Sequence, residues 1–518
     1  DYVHQMEDNP YVARTHEREP DILRLAAPID VAAGQLQPIW LNVSIPAGTP
    51  AGDYSGEINV RAAGQTVTIP ITMTCYGFDI PKHPSIVQNH WLSFRYWREF
   101  YGTRVDERGL RHQRHKLTPE LFAQYCETLA EYRVQCWPMD PLTTRITVYH
   151  DPDQGWSFDF SDLTPYIEIG KQHGCNALWA NFSCNLGGMM TRFASKHANQ
   201  PWITDRRSGK RTCLADCIPE WVERHRAGEV TLESNPAFRV FLQAYQAYLK
   251  EHGILAMAYW ETFDEPYSAT SRWLHMVDHH QVVDQHAPGL CRFAYGANPL
   301  QVYGGTSAVG VMDAWAPHLF ECAAPALVEA CRQRQREHGE QFWFYTCTER
   351  QSPNTGNFSP HTFYNRTYLA PRIIPWMAWD FQVDGFLVYS LSHVSEKERE
   401  KPQEKRYPSS EWAAGRMRGN GTLVYPGPEL ALLPSMRLAA LRDGMEDYEY
   451  FVVLRRALEH LGDGAPVGLA KRVRAELIIE PAIIKSPHDW THDRALLEAK
   501  RERLAKLIQE CLRHGSKR

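Results

Sequence analysis

Between residues 30 and 80 the chain alternates apolar and polar positions. Ile39, Leu41, Val43 and Ile45 share one parity, as do Val67, Ile69, Ile71, Met73 and Cys75. Period-two alternation marks strands with one buried face. Between the two runs, "PAGTPAGDYSG" is turn chemistry built on Pro and Gly. The pattern predicts a small antiparallel β-sandwich domain over residues 1–82. Two or three strands make no independent core, so residues 1–30 are expected to add strands, or the domain to lean on the segment C-terminal to it.

After residue 84 the rhythm changes to strand then helix. Strand-like runs recur at 85–94, 134–140, 177–183, 255–263, 290–296, 311–316, 341–347 and 385–391. Helical runs lie between them. "TPELFAQYCETLAEYR" opens with a Thr cap and a Pro at the first helical position, while "NPAFRVFLQAYQAYLKEHG" and "APALVEACRQRQREHG" end in a Gly stop. The fold class expected is α/β, an irregular (β/α)8 TIM-like barrel over 83–462. It is irregular because the 297–310 link is too short and Gly-rich for a full helix. A helical tail over 463–518 completes the chain.

Composition narrows the function. The chain has 518 residues, 43% hydrophobic, with a net charge of −5 and both signs well mixed. It reads as globular, and the mixed charge gives no support for a nucleic-acid partner, which would favour a basic face. No run approaches the length of a membrane span. The chain opens at Asp1 with no apolar signal core. The protein is then secreted or periplasmic if a signal peptide was removed, and otherwise cytoplasmic. The 12 Cys are scattered and read as buried thiols. The 16 Trp and 24 Tyr are a hint of sugar-stacking faces.

The candidate chemistry sits in "YWETFDEPYS", residues 259–268. Asp264 and Glu265 fall at the C-terminal end of the fourth barrel strand, the end where barrel active sites are built. Two carboxylates in an aromatic cleft suit glycoside hydrolysis. Consecutive acids lie too close to flank a sugar from opposite sides. They suit substrate-assisted catalysis, in which the substrate's 2-acetamido oxygen attacks the anomeric carbon. Asp264 then orients the amide and Glu265 is the general acid/base, with a pKa expected to be raised by its aromatic pocket. The plainer alternative is that Asp264 or Ser268 caps the helix near 270. Other strand-tip residues are candidate sugar contacts: Trp91 and Arg95, Trp179 and Asn181, Tyr295, Trp315 and His318, Trp343 and Tyr345, and Tyr389. For the aromatic ones, packing of the barrel interior is the competing role.

Other motifs carry less. "SGKRT" lacks the glycine spacing of a phosphate loop, and there is no G-x-S-x-G elbow. His275 and His279 share a helical face without forming HExxH, so no metal and no cofactor is expected. The insertion 184–234 would overhang the active face and holds Arg206, Arg207, Lys210 and Arg211. Two rival functions remain. Glu265 could work with a distant carboxylate such as Asp313 or Glu349 on a sugar without an acetamido group, or the protein could bind glycans without catalysis.

Several segments together resemble glycoside hydrolase family 123. They are "PIWLNVSIPAGTPAGDYSGEINV", "DEP" after an aromatic strand, "WMAWDFQVDGFLVYSLSHV", and "GNGTLVYPG" followed by "PSMRLAALRDGMEDYEYF". The resemblance runs from about residue 30 to residue 455. It implies an exo-acting β-N-acetylgalactosaminidase that retains configuration through the neighbouring acetamido group, with Asp264 orienting the amide and Glu265 as acid/base. The implied partner is a glycan ending in N-acetylhexosamine. Two departures stand out. The β-domain is short, and "GFLVYSLSHV" has Tyr-Ser where related sequences tend to a Trp-rich end.

Overall fold

The computed structural model describes residues 2–4, 18–24, 28–94, 103–105, 111–113, 117–135, 137–138, 145–182, 198–201, 203–348, 350–352, 357–363, 367–394, 411–413 and 419–515. A long hairpin comes first, β1 (Gly52–Ala62) paired antiparallel with β2 (Gln65–Cys75). Ala63 and Gly64 both have positive φ, at 49° and 75°, as a two-residue hairpin turn of this hand requires. The alternation over 39–45 does not become a strand. Ile39, Leu41, Val43 and Ile45 remain exposed, and no described strand includes them. An alternating segment buries a face only against another strand or sheet, and the hairpin alone stands here. The first residues go elsewhere: Tyr2–His4 pairs with Arg18–Pro20 and with Glu411–Ala413.

The body is a seven-stranded sheet. In chain order its strands are β3 (Val87–Gln88), β4 (Leu178–Phe182), β5 (Ala258–Glu261), β6 (Cys291–Tyr295), β7 (Ala314–Ala316), β8 (Gln341–Thr346) and β9 (Gly385–Val388). All neighbours are parallel, in the order β4-β5-β6-β7-β8-β9-β3. The sheet curls toward a barrel and stays open between β3 and β4. The strand expected over 134–140 is missing among the described residues. Side-chain amides span that seam instead. Asn176 accepts from the Gln88 N–H at 3.2 Å and donates to the Ile86 carbonyl at 2.9 Å. Gln88 donates to the Arg133 carbonyl at 2.8 Å. As the short link implied, β6 and β7 are joined by a small hairpin (Val302–Tyr303 with Thr306–Ser307).

Side chains alternate across this sheet, because successive residues of a strand face opposite ways. Trp179, Tyr259, Phe293, Tyr295, Ala314, Ala316, Trp343, Tyr345 and Leu387 fill the lumen. Leu178, Trp260, Ala294, Trp315, Phe344, Phe386 and Val388 face the other way and join the main core. That outer layer is covered by helices α1 (Pro119–Ala130), α2 (Thr164–Gln172), α3 (Pro236–Glu251), α4 (Thr270–His286), α5 (Pro325–His338), α6 (Leu369–Asp380) and α7 (Met436–Leu461). Their ends agree with the expected signals. Thr118 caps α1 through the Leu121 N–H, Asn235 caps α3, and Gly339 closes α5 at φ 68°. Helices α8 (Val467–Glu476) and α9 (Arg494–Gly515) pack on α7.

Two buried ion pairs anchor α7. Asp21 meets Arg437 at 2.8 Å in the interior, and Asp447 takes Arg372 of α6 at 2.8 Å. The helices α6 and α7 touch at Gly444, where a Cβ would lie 2.2 Å from the Arg372 carbonyl oxygen. In an open helix, Gly to Ala stabilises by about 0.5–1 kcal/mol. Here the added methyl must push the two helices apart. Gly444→Ala is therefore expected to destabilise by about 1–3 kcal/mol in urea unfolding. A variant as stable as the parent would contradict this close crossing.

Candidate active site

The strand β5 ends at Glu261, and the chain then turns over at Asp264 and Glu265. Glu265 adopts a left-handed backbone, φ 48° and ψ 58°. Its N–H donates to the Tyr295 carbonyl at 3.1 Å, which ties the turn to the tip of β6. Pro266 then begins one short helical turn before α4. The helix-cap alternative fails here. The residue capping α4 is Ala269, without a side-chain cap bond, and Glu265 makes none to the turn after it.

Both acids are partly accessible and crowded by protein. Burial, and then the neighbouring Glu265 carboxylate, push the Asp264 pKa up to about 7, against a smaller pull from Arg272. Tyr345, at the tip of β8, donates its hydroxyl to Glu265 Oε1 at 2.5 Å. The Cys347 thiol lies 3.9 Å from the same oxygen. His318 backs this wall. Its Nε2 accepts from the Cys347 N–H at 3.2 Å, and its ring meets Tyr345 edge-on at 4.7 Å. Burial holds His318 well below the usual imidazole range, so it is neutral.

Of the residues expected from strand position, Trp91, Trp179, Tyr295, Tyr345 and Tyr389 come together. Trp91 sits at φ 45° and packs edge-on against Tyr389 at 5.3 Å and Tyr295 at 6.0 Å. Tyr295 lies parallel to Trp179, 5.6 Å away, and 5.4 Å from Tyr345. Trp343 sits deeper, packed on Tyr259 and Phe293, with its indole bonded to Gln341 at the start of β8. Trp315 points out of the lumen to Glu340 at 2.5 Å. Its inward neighbours on β7 are Ala314 and Ala316. The backbone of Asn181 lies in β4, and Arg95 and Glu349 fall outside the described residues.

Asp313, a candidate distant carboxylate, precedes β7 at the opposite end of the sheet. Arg292 holds it there with bonds of 2.7 and 2.5 Å. Two of the four basic residues of the insertion are engaged: Arg206 stacks over Tyr149 at 4.8 Å, and Arg207 pairs with Asp153 and Asp151. Both lie in the turn that joins Ile203–Asp205 to Arg211–Thr212 in a four-stranded sheet. Among the described residues, no group of three His, Cys, Asp or Glu side chains is placed to hold a metal ion.

Two residues at the site have no motif in the sequence to announce them. Glu261 is fully buried in the lumen beneath the acid pair, on the same parity as Tyr259. That shared parity is the available signal. Tyr267 interacts with Tyr345 and Glu265, and burial is the main reason its pKa is pushed up to about 12. Its ring lies over Gly296, where a Cβ would come within 2.2 Å, at a φ of 80°. No local sequence pattern marks that contact.

Comparisons with known proteins identify the family. Residues 126–454 match the model of the glycoside hydrolase 123 catalytic domain, and residues 6–62 match that of the family's N-terminal domain. No curated protein matches the sequence significantly. Among solved structures, the fold is similar to a family 123 glycoside hydrolase from Clostridium perfringens, studied for glycolipid glycan hydrolysis. That match has a TM-score of 0.52 and 15% identity, and it covers 89% of this chain and 76% of the other. The catalytic-domain match alone takes in more than half of the chain and contains both acids at the tip of β5, and so the protein belongs to glycoside hydrolase family 123.

Proposed function

We propose that the protein is an exo-acting β-N-acetylgalactosaminidase that retains configuration by neighbouring-group participation. The observation that carries this reading is the adjacency of Asp264 and Glu265 at one strand tip, with neither acid capping a helix. Two side chains so close serve one side of a sugar. A nucleophile for the other side is then needed, and Asp313 is ion-paired at the far end of the sheet. The substrate's own acetamido oxygen meets that need.

In the first step that oxygen bonds to the anomeric carbon as the glycosidic C–O bond breaks. Glu265 gives its proton to the departing oxygen. Asp264, ionised, accepts from the amide N–H and offsets the positive charge that spreads over the five-membered ring. Water then attacks the anomeric carbon, gives its proton to Glu265, and the acetamido group re-forms. Two inversions give net retention. Trp91, Trp179, Tyr295 and Tyr389 supply apolar surface around the sugar and its methyl group, which orients the attack. The Clostridium relative is linked to glycolipid glycans, so a glycan aglycone of that class is the first natural substrate to try.

Matched aryl β-galactosides with a 2-acetamido or a 2-hydroxyl group test the mechanism. The hydroxyl sugar should be nearly inert, and full activity on it sinks the proposal. Asp264→Asn keeps the shape without the charge and should lower kcat on the acetamido sugar by about 10²-fold or more, as loss of an electrostatic stabiliser does. The pH dependence has a definite sign. Burial and the ionised Glu265 beside it push the Asp264 pKa up to about 7, so above that value the pair holds no proton for the departing oxygen. The wild-type kcat/KM should therefore fall by about tenfold per unit above that point.

Glu265→Gln separates the steps. Formation of the cyclic intermediate should lose orders of magnitude when the leaving group is a poor one. It should lose much less with a good one, which needs little proton donation. Pre-steady-state rates along a leaving-group series read this, and equal losses along the series would count against the acid role.

A further inference from the structure

Glu261 is a carboxyl with no role in the chemistry above, sealed 0% exposed inside the lumen. Its two oxygens are both engaged, toward opposite neighbours. Oε2 accepts the indole N–H of Trp179 from β4 at 2.8 Å. Oε1 accepts the main-chain N–H of Tyr295 from β6 at 3.2 Å. Pairing of β5 with β6 ends at Glu261 and Phe293, so this side chain serves the Tyr295 amide just where the ladder stops. The two residues it joins present parallel rings, tilted by only 8°. Of these rings, that of Tyr295 makes edge or tilted contacts with Trp91 and Tyr345, the latter bonded to Glu265.

We propose that Glu261 is a positioning residue: its carboxyl clasps the Trp179 indole to the Tyr295 main chain and so sets the aromatic floor on which the sugar is aligned beside Asp264. The inference rests on the glycosidase reading of the site. Burial is the main reason that the Glu261 pKa lies well above the usual carboxylate range, and the facing carboxylates Asp264 and Glu265 add to it. A neutral acid keeps a lone pair on each oxygen for the two N–H groups. It also adds no further negative charge beside Asp264, which must ionise. An amide in its place can accept only through its single oxygen, so Gln must release one of the two donors. Leucine would release both, and buried donors left unpaired cost stability.

A double-mutant cycle tests the clasp. Glu261→Gln and Trp179→Phe are each expected to lower kcat on the turned-over aryl glycoside by about tenfold or more, because small misplacements of a bound substrate are costly. KM should move less, and the melting temperature should change little for Trp179→Phe. The double variant should lose less than the two single losses multiplied, because Trp179→Phe frees the single Gln oxygen for the Tyr295 N–H. Losses that multiply, or a Trp179→Phe enzyme with full kcat, overturn the proposal. The second criterion stands even if Glu261→Gln does not fold. A purely structural role would lower the melting temperature and leave kcat per folded enzyme intact. The cycle is run on whichever sugar the enzyme cleaves. Activity on a hydroxyl sugar would then defeat the acetamido mechanism without touching this test.

Discussion

One backbone conformation makes this site possible. Consecutive residues on a strand point to opposite faces, so two adjacent acids on β5 would be split between the lumen and the helices. At Glu265 the chain enters the left-handed region, at φ 48°. For a residue with a Cβ this costs on the order of 1–2 kcal/mol. The turn is held by the Glu265 N–H on the Tyr295 carbonyl and by the buried Pro266 next in the chain. Its effect is to turn the second acid to the same cleft as the first. Trp91, at the tip of β3, is held in the same left-handed region. Two unfavourable conformations at strand tips around one cleft fit a site where local strain is maintained for function.

The second constraint is electrostatic. Glu261, Asp264 and Glu265 crowd one another, and Arg272 lowers the Asp264 pKa only in part. Burial and the neighbouring carboxylates make Glu261 and Asp264 hold protons that isolated acids would release. Glu261 is the fully buried member, and burial raises it well above its usual range. The Asp264 pKa is pushed up to about 7, first by burial and then by the Glu265 carboxylate.

Much of this was legible in the chain. The strand–helix rhythm located β3 through β9, and the caps at Thr118, Asn235 and Gly339 formed as their residue types imply. The acid pair stood out because Pro266 closes an aromatic strand. Parity along each strand also sorts the side chains between the two faces. Ala314 and Ala316 leave Trp315 facing outward, and Tyr259 brings Glu261 inward. What local pattern could not supply was partnership. The 39–45 segment alternates like a strand yet finds no sheet, and the described residues of 134–140 form no strand, so that the amides of Gln88 and Asn176 stand at the seam. Tyr267 reaches Glu265 only because Gly296, from the tip of another strand, leaves room for its ring.

The central claim is that Asp264 acts, as an anion, on a positive ring formed from the substrate's own acetamido group. A thiazoline analogue of that cyclised N-acetylgalactosamine intermediate tests it directly, by calorimetric binding to the wild type and to Asp264→Asn above pH 7. Binding should be tight to the wild type and weaker by about 10²-fold or more in the variant, the scale of removing a preorganised charge. Equal affinities for the two proteins, or a sugar found covalently attached to a protein carboxylate, would contradict it.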